Sequence, residues 1–300
     1  MLIVLEGIDG SGKTTAVNGT AQRLARSGYN VLTAASGPPA GDDLVDEYLQ
    51  RLSPVDSPRK DGEPPTALVV DRLHWGEAVY GPKYRPDDDV EGYGCFGKAG
   101  FRYLELFIAS RGGVTAYIDT KPDVARARIN ARDEGEDFID LADLESLHAR
   151  YDEVYRESNT GIRIFGNYDP ATIVDAVVSN ALARNEASDH LSQWPSYIGT
   201  IRPSVLVAMP ADRKQRLSLI SKLTDIEWPH VGIVNSAMPS EHLVELADAL
   251  GNPSIRVLTS AAGGPAHEHA TGAVVPIDRR TRFDSLDALL EGVRIALHAA

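Results

Sequence analysis

The chain has few of the features that mark secreted, membrane or metal-stabilised proteins. Cys95 is the single cysteine in 300 residues, which excludes an internal disulfide and a cysteine-rich zinc site. No run of about 18 apolar residues occurs, so no transmembrane helix is predicted. The apolar start from Met1 to Leu5 stops at Glu6 and lacks the basic opening and long apolar middle of a signal peptide. We therefore expect a protein of a reducing, cytoplasmic setting.

Positive charge is also scarce. The chain carries 30 Lys and Arg against 43 Asp and Glu, which gives a formal net charge of −13. The basic footprint of a polynucleotide binder is not visible, so a polynucleotide partner stays open but is not favoured by the charge. Acidic stretches at 87–89 and 133–157 are interpreted as solvated loop and helix faces. A site for an anionic ligand must therefore supply its own local positive charge.

Short apolar runs alternate with amphipathic segments over residues 1–184. The predicted strands are Leu2–Leu5, Val31–Ala35, Ala67–Asp71, Thr115–Asp119 and Ile162–Phe165. The predicted helices are Thr14–Ser27, Asp42–Leu52, Tyr103–Ser110, Pro122–Arg132, Leu141–Glu157 and Ala171–Arg184. This alternation predicts an α/β fold in which a parallel sheet carries helices on both faces.

Residues 185–202 interrupt the alternation and are interpreted as a linker. The alternation restarts over 203–300, which predicts a second, smaller Rossmann-like α/β domain without a catalytic role. Its predicted strands are Val205–Met209, Val231–Asn235, Ile255–Thr259 and Ala273–Ile277, and its predicted helices are Arg213–Leu223, Ser240–Leu250 and Ser285–His298. His267 and His269 lie two apart in a predicted loop, and we interpret them as solvated rather than metal-binding.

The segment from Gly7 to Thr14 matches the phosphate-binding pattern G-x-x-x-x-G-K-[ST] in full, between a predicted strand and a predicted helix. Backbone N–H groups and the helix N-terminus would face nucleotide phosphates, Lys13 would reach the β- and γ-phosphates, and the Thr14 hydroxyl would bind Mg²⁺. The alternative is a glycine-rich turn without a ligand. The pattern predicts a P-loop NTPase sheet with ATP and Mg²⁺ as cofactors. The predicted nucleotide-binding residues are Gly7, Asp9, Gly10, Ser11, Gly12, Lys13, Thr14 and Thr15.

A second signal ends the third predicted strand. Asp71 and Arg72 follow the buried run Ala67–Val70, at the edge where open α/β sheets bind ligands. Asp71 would hold Mg²⁺ directly or through water, and Arg72 would bind a phosphate through two hydrogen bonds. The alternative reading of Asp71 is a turn residue.

These motifs together resemble one family. The run from Leu5 to Thr15 is similar to the opening of thymidylate kinases, and Asp71-Arg72 matches the Asp-Arg motif of that family. The stretch 118–132 resembles the strand, helix and start of a mobile lid. The resemblance covers about residues 1–182 and extends to deoxynucleoside kinases, above all to bacteriophage-type members, whose sequence after the motif resembles 73–82.

The resemblance implies roles for individual residues. Arg72 would contact the acceptor phosphate and Asp9 the sugar 3′-hydroxyl, although Asp9 could instead bond its own backbone. Arg128 and Arg132 lie four apart on one helix face and would close over the transferring phosphoryl group, or else pair with the adjacent acidic stretch. The Arg-Glu-Pro-Gly usual after the second strand is absent, and 35–39 stand in its place, so the acceptor base stays open.

The sequence thus predicts a kinase that moves the ATP γ-phosphoryl group to a deoxynucleoside monophosphate, dTMP or a modified dUMP. Alternatives are a deoxynucleoside kinase with Asp71 as base, a kinase of a modified base in phage DNA, and a nucleotide-binding sensor. A homodimer is left open. The C-terminal part faintly resembles the uracil-DNA-glycosylase fold without its acidic, water-activating motif. The predicted catalytic residues are Lys13, Asp71, Arg72, Arg128 and Arg132.

Overall fold

The structure is a computed structural model that describes residues 1–36, 44–56, 62–131 and 139–188, and four strands at 205–209, 231–235, 256–260 and 280–283. The chain divides into two compact units, Met1–Ala187 and Ser188–Ala300. Among the helices described, none is both long enough and apolar enough to cross a membrane.

The first unit is built on a five-stranded sheet. Its strands are β1 (Leu2–Glu6), β2 (Asn30–Ala35), β3 (Thr66–Asp71), β4 (Val114–Asp119) and β5 (Gly161–Phe165). All neighbouring pairs are parallel, in the order β2-β3-β1-β4-β5. The central strand β1 is buried along its whole length, because helices cover both faces of a parallel sheet. The predicted α/β fold with a parallel sheet is confirmed for this unit.

Seven described helices surround this sheet. They are α1 (Lys13–Arg26), α2 (Leu44–Leu52), α3 (His74–Tyr84), α4 (Gly97–Ser110), α5 (Pro122–Asn130), α6 (Leu144–Glu157) and α7 (Pro170–Ser188). One apolar core joins the sheet to α1 and α7, and a second joins it to α3, α4, α5 and α6. Strand β4 serves both cores, with Ala116 and Ile118 in the first and Tyr117 in the second, as the period-two alternation of a strand requires.

Four helices that differ from their predictions are α3, α4, α5 and α7. Helix α3 was not predicted, because Gly76, Gly81 and Pro82 act as breakers in isolation, whereas burial of this segment supports it here. Helix α4 begins at Gly97, six residues before the predicted Tyr103. Helix α7 continues through Ser188 into the predicted linker, and the helix predicted to reach Arg132 ends at Asn130.

The second unit contains a four-stranded parallel sheet. Its strands are β6 (Val205–Met209), β7 (Val231–Asn235), β8 (Arg256–Ser260) and β9 (Arg280–Phe283), in the order β7-β6-β8-β9. The first two strands have their predicted bounds, and β8 begins one residue later than predicted. The predicted strand at 273–277, the three predicted helices and the pair His267 and His269 lie outside the described residues. The Rossmann-like assignment therefore stays a prediction.

The strand order of the first sheet determines where a ligand can bind. Strand β1 lies between β3 and β4, so the chain runs to one side of β1 and later returns to the other. The carboxyl ends of these three strands border the crevice in which open α/β sheets bind ligands. Glu6, Asp71 and Asp119 end the strands at this edge.

Candidate active site

The loop from Gly7 to Gly12 joins β1 to α1. Gly12, with φ of 93°, precedes the helix and provides no side-chain cap. The first N–H groups of a helix need an acceptor from outside it. Thr14 and Thr15 are exposed on the first turn, which contains no acidic residue. The N-terminus of α1 is therefore suited to an anionic ligand.

The loop is fastened to the segment that follows β4. Gly10 has φ of 75°, and a Cβ at this position would lie 2.5 Å from the carbonyl oxygen of Ala125 in α5. The Thr120 hydroxyl donates to the carbonyl oxygen of Ser11 at 3.1 Å. Backbone approach this close leaves no room for a side chain at Gly10.

Lys13 turns back into the loop. Its Nζ donates to the carbonyl oxygens of Gly7 and Ile8, both at 2.8 Å, and the residue is 6% exposed. Burial, with a smaller contribution from the charge of Arg72, lowers the pKa of Lys13 to about 7, against the opposing effect of nearby carboxylates. The ammonium group therefore lies at the concave side of the loop, where a phosphate would meet it.

The two predicted metal ligands lie side by side. Thr14 Oγ1 donates to Asp71 Oδ2 at 3.3 Å, although the residues are 57 positions apart. One comes from the first turn of α1 and the other from the end of β3. Hydroxyl and carboxylate oxygens are the ligands that Mg²⁺ prefers, so this donor pair fits the ion, and its binding stays a prediction.

Asp9 and Arg72 form an ion pair. Asp9 also accepts a hydrogen bond of 3.2 Å from the Tyr80 hydroxyl, and the Arg72 guanidinium lies 4.8 Å above the centre of the Tyr80 ring. The Asp9 carboxylate thus binds the side chain of Arg72, which follows β3, and that of Tyr80 in α3. The predicted alternative was a bond from Asp9 to its own backbone. The structure thus brings Asp9 and Arg72 together, and their contacts to an acceptor nucleotide stay a prediction.

Of the two arginines predicted to close over the phosphoryl group, the structure describes Arg128. Arg128 of α5 donates to the carbonyl oxygens of Ser11 at 3.2 Å and Gly166 at 3.0 Å. The predicted alternative, a salt bridge to the acidic stretch, is made instead by Arg126, whose Nη2 lies 2.7 Å from Glu145 Oε1. Arg132 lies outside the described residues.

A comparison with curated proteins gives a relative at the family level. The chain is 31% identical over 170 residues to a probable thymidylate kinase of Pyrobaculum calidifontis, and the match covers 50% of this chain and 80% of the relative. The chain belongs to the thymidylate kinase family. No protein-family model matches it.

Solved structures similar to this family member include deoxyadenosine kinase from M. mycoides with dCMP and dCDP, and the same enzyme with dCTP. Each is 15% identical with a TM-score of 0.37, and the matches cover 61% of this chain and 99% or 100% of the other. A likeness of this size does not assign a fold or a substrate.

Glu6 of this thymidylate kinase family member is a site-bordering residue that sequence reasoning missed. It is fully buried. Its Oε1 accepts from the backbone N–H of Leu73 at 2.7 Å and of Gly76 at 3.3 Å, and its Oε2 accepts from the Tyr151 hydroxyl at 3.1 Å. Burial raises the pKa of Glu6 against the opposing hydrogen bond from Leu73 and nearby positive charge. A carboxylate that ends an apolar strand was the signal in the sequence.

A second buried carboxylate, Glu105 of α4, lies behind the site. Burial would raise its pKa, but the hydrogen bond and charge of His74, with further hydrogen bonds, lower the pKa to about 2. Its partners are the ring nitrogens of His74 and Trp75, the hydroxyls of Ser158 and Thr160, and the N–H groups of Asn159 and Thr160. Glu105 therefore joins the start of α3 to the segment before β5.

Asp119, His148 and Asp152 place three potential metal ligands within reach of one another. Arg163 already faces this cluster, with Nη2 2.6 Å from Asp119 Oδ2 and 3.1 Å from Asp152 Oδ1. A guanidinium at this position neutralises the carboxylates and opposes a second cation. The cluster is therefore an ion-pair network.

Proposed function

We propose that the chain is an ATP-dependent kinase that transfers the γ-phosphoryl group to the phosphate of a deoxynucleoside monophosphate, either dTMP or a modified dUMP. The observation that carries this proposal is the ion pair between Arg72 and Asp9, a residue of the loop between β1 and α1. The Arg72 guanidinium would suit the phosphate of a nucleotide, and the Asp9 carboxylate would suit a hydroxyl group of its sugar. Membership of the thymidylate kinase family supports the assignment.

The donor half of the site acts by binding and charge. Lys13 would exchange its two carbonyl partners for the β- and γ-phosphates of ATP. The N–H groups at the start of α1 would hold the same phosphates. Thr14 and Asp71 would hold Mg²⁺, which supplies positive charge at the phosphate oxygens when bound. This local positive charge offsets the net charge of −13 on the chain.

The acceptor half needs little covalent chemistry. A monophosphate is already an anionic nucleophile, so the site requires no strong general base. Arg72 would hold the acceptor phosphate through charge-assisted hydrogen bonds. Asp9, released from Arg72, would accept a hydrogen bond from the sugar 3′-hydroxyl. The ion pair between Asp9 and Arg72 would thus be exchanged for two contacts to the acceptor.

The test is a coupled assay for ADP with a panel of acceptors in the presence of Mg²⁺. The panel contains dTMP, 5-hydroxymethyl-dUMP, the other deoxynucleoside monophosphates, thymidine and deoxyadenosine. We expect turnover with a deoxypyrimidine monophosphate to exceed turnover with any nucleoside. Phosphorylation of nucleosides alone would overturn the proposal in favour of a nucleoside kinase. ADP formation that is independent of every acceptor would favour a nucleotide sensor.

Lys13→Ala tests the predicted role of the loop, and Lys83→Ala is its matched control. Lys13→Ala should lower kcat by about 100-fold or more, because the lost charge is needed most in the transition state. Lys83→Ala removes a lysine of α3 that pairs with Asp143 at 2.8 Å and should leave kcat unchanged. Circular dichroism of both variants checks the fold. A folded Lys13→Ala protein with normal turnover would contradict the assigned role of the loop.

A further inference from the structure

Arg72 has an unusual backbone conformation. Its φ is 62°, and Glu91 is the other non-glycine residue with positive φ among those described. Side chains without local hydrogen-bonding capacity disfavour this left-handed region. The surrounding structure must therefore hold the turn at Arg72, and a hydrogen bond of 3.0 Å from its N–H to the Leu5 carbonyl is one such constraint.

Glu6 supplies a stronger constraint on the same turn. Leu73, the residue before α3, has no side-chain acceptor with which to cap the helix. The first N–H groups of a helix require an acceptor, which is usually a side chain at this position. Glu6 Oε1 accepts from Leu73 at 2.7 Å and from Gly76 at 3.3 Å. The cap of α3 thus comes from β1, the strand next to β3. The capped N–H groups begin at Leu73, the residue after Arg72.

The Glu6 carboxylate is held on its other side as well. Oε2 accepts from Tyr151 of α6 at 3.1 Å, and the residue has no exposed surface. Negative charge at a helix N-terminus is favourable. Both oxygens are therefore engaged with the protein, which is the arrangement of a group that acts through its neighbours.

We propose that Glu6 is the positioning residue of the acceptor-phosphate site: it fixes the turn from which the Arg72 guanidinium reaches Asp9 and, with substrate bound, the acceptor phosphate. The inference rests on the proposed function for the identity of the acceptor. Glu6 does not touch the substrate in this account. This role depends on where the Glu6 oxygens lie, because the N–H groups of Leu73 and Gly76 share one acceptor, Oε1.

Two substitutions separate the position of the oxygens from their charge. Glu6→Gln keeps a carbonyl oxygen at the same reach and loses the charge, and its amide can donate to the Tyr151 oxygen. Glu6→Asp keeps the charge but is one methylene shorter, so it cannot reach both N–H groups. The full-length chain is used, and circular dichroism and thermal unfolding check each variant.

Steady-state kinetics with dTMP and ATP give the readout. Glu6→Asp should raise KM for dTMP by about 10-fold and leave KM for ATP within about two-fold, whereas Glu6→Gln should change both by less than about three-fold. An inactive Glu6→Gln beside an active Glu6→Asp would overturn the proposal, because charge would then be the requirement. An unchanged KM for dTMP in Glu6→Asp would also overturn it.

A double-mutant cycle with Arg72→Ala distinguishes positioning from general stabilisation. If Glu6 acts through Arg72, Glu6→Asp adds no further rise in KM for dTMP once Arg72 is absent. Equal effects in both backgrounds would overturn the proposal. If Glu6→Asp does not fold, Tyr151→Phe takes its place, with a smaller rise in the same KM expected and an unchanged KM as the overturning result. Failure of the proposed function appears earlier, as absent turnover of monophosphates by the unmodified chain.

Discussion

The guanidinium of Arg72 pairs with the carboxylate of Asp9, a residue 63 positions earlier in the chain. Arg72 directly follows the third strand, and Asp9 belongs to the loop between β1 and α1. Each side chain balances the charge of the other. The pair therefore joins the loop between β1 and α1 to the turn that follows β3.

Arg72→Ala should distinguish a monophosphate acceptor from a nucleoside. With dTMP, kcat/KM should fall by about 100-fold, because a charge-assisted contact to the phosphate is lost. With thymidine, KM should change far less, since no phosphate is present. Steady-state kinetics on both acceptors measure the difference. Arg23→Ala is the control, because Arg23 in the last turn of α1 is exposed and pairs with Asp175 of α7. Unaltered dTMP kinetics in Arg72→Ala would count against a monophosphate acceptor.

Asp71→Asn should weaken the response to Mg²⁺. The concentration for half-maximal activity should rise by about 10-fold, because a neutral amide is a poorer ligand for a hard cation than a carboxylate. Thr14→Val should act in the same direction, and Thr14→Ser should preserve the response. Activity is measured against free Mg²⁺ at constant ATP, and a chelator should abolish it. Asp175→Asn, on the surface of α7, is the matched control. The same Mg²⁺ response in Asp71→Asn and the control would exclude Asp71 as a ligand.

Arg128→Ala should lower kcat/KM for ATP, because its guanidinium holds carbonyl oxygens of the loop and of Gly166. A drop of about 10-fold is expected for the loss of such charge-assisted hydrogen bonds. Arg126→Ala provides the control on the same helix, since Arg126 pairs with Glu145. Kinetics with variable ATP measure both. Equal effects of the two substitutions would show that Arg128 has no special relation to the loop.

Glu105 predicts a dependence of stability on pH. Its pKa is lowered in the folded protein from 4.5 to about 2, so the unfolded chain binds the proton more tightly. The ionised Glu105 carboxylate therefore stabilises the folded state fully above about pH 4.5, and this stabilisation is lost as the pH falls toward 2. Glu105→Gln should therefore be less stable than the unmodified chain at pH 5, and the deficit should shrink by roughly 2 kcal/mol at pH 3.

Urea unfolding at the two pH values measures this deficit. Glu153→Gln is the control, because Glu153 of α6 has a largely exposed side chain that pairs with Arg150. It measures the effect of removing an exposed carboxylate at each of the two pH values. A constant deficit for Glu105→Gln would contradict the lowered pKa of Glu105.

A fragment of residues 1–190 should fold and phosphorylate its acceptor without the remaining chain. All residues assigned to the candidate site precede this point, and α7 ends at Ser188. A fragment of residues 1–184 should be less stable, since it removes the last turn of that helix. Soluble yield, thermal unfolding and kcat/KM on dTMP measure the outcome. An inactive 1–190 fragment would show that the second unit completes the site. Loss of activity confined to a polymeric acceptor would favour a DNA-directed kinase.

The sequence predicted the strands of the central sheet well, because β1 and β3 are short apolar runs that are typical of buried strands. It also pointed to Lys13 and Thr14, since their pattern is local, and their roles stay predictions. Glu6 escaped detection, because its role depends on N–H groups about 70 positions away. Long-range pairing of this kind leaves no periodic trace.

Helix α3 escaped for a related reason. Gly81 and Pro82 disfavour a helix locally, and burial against other elements outweighs that preference. The same burial explains Gly81, because a Cβ there would lie 2.7 Å from the Cα of Gly94. The sequence shows that these residues have low helix propensity, but it does not show the tertiary packing that stabilises the helix.

Gly10 stands at a variable position of the phosphate-binding pattern, yet its conformation and the carbonyl of Ala125 exclude a side chain. A protein engineer who changed the nucleotide preference by randomising the variable loop positions would lose most members of such a library at Gly10. Those losses would come from the collision with α5 and would say nothing about nucleotide choice. A useful library would hold Gly10 constant, or would vary it together with the path of the backbone around Ala125.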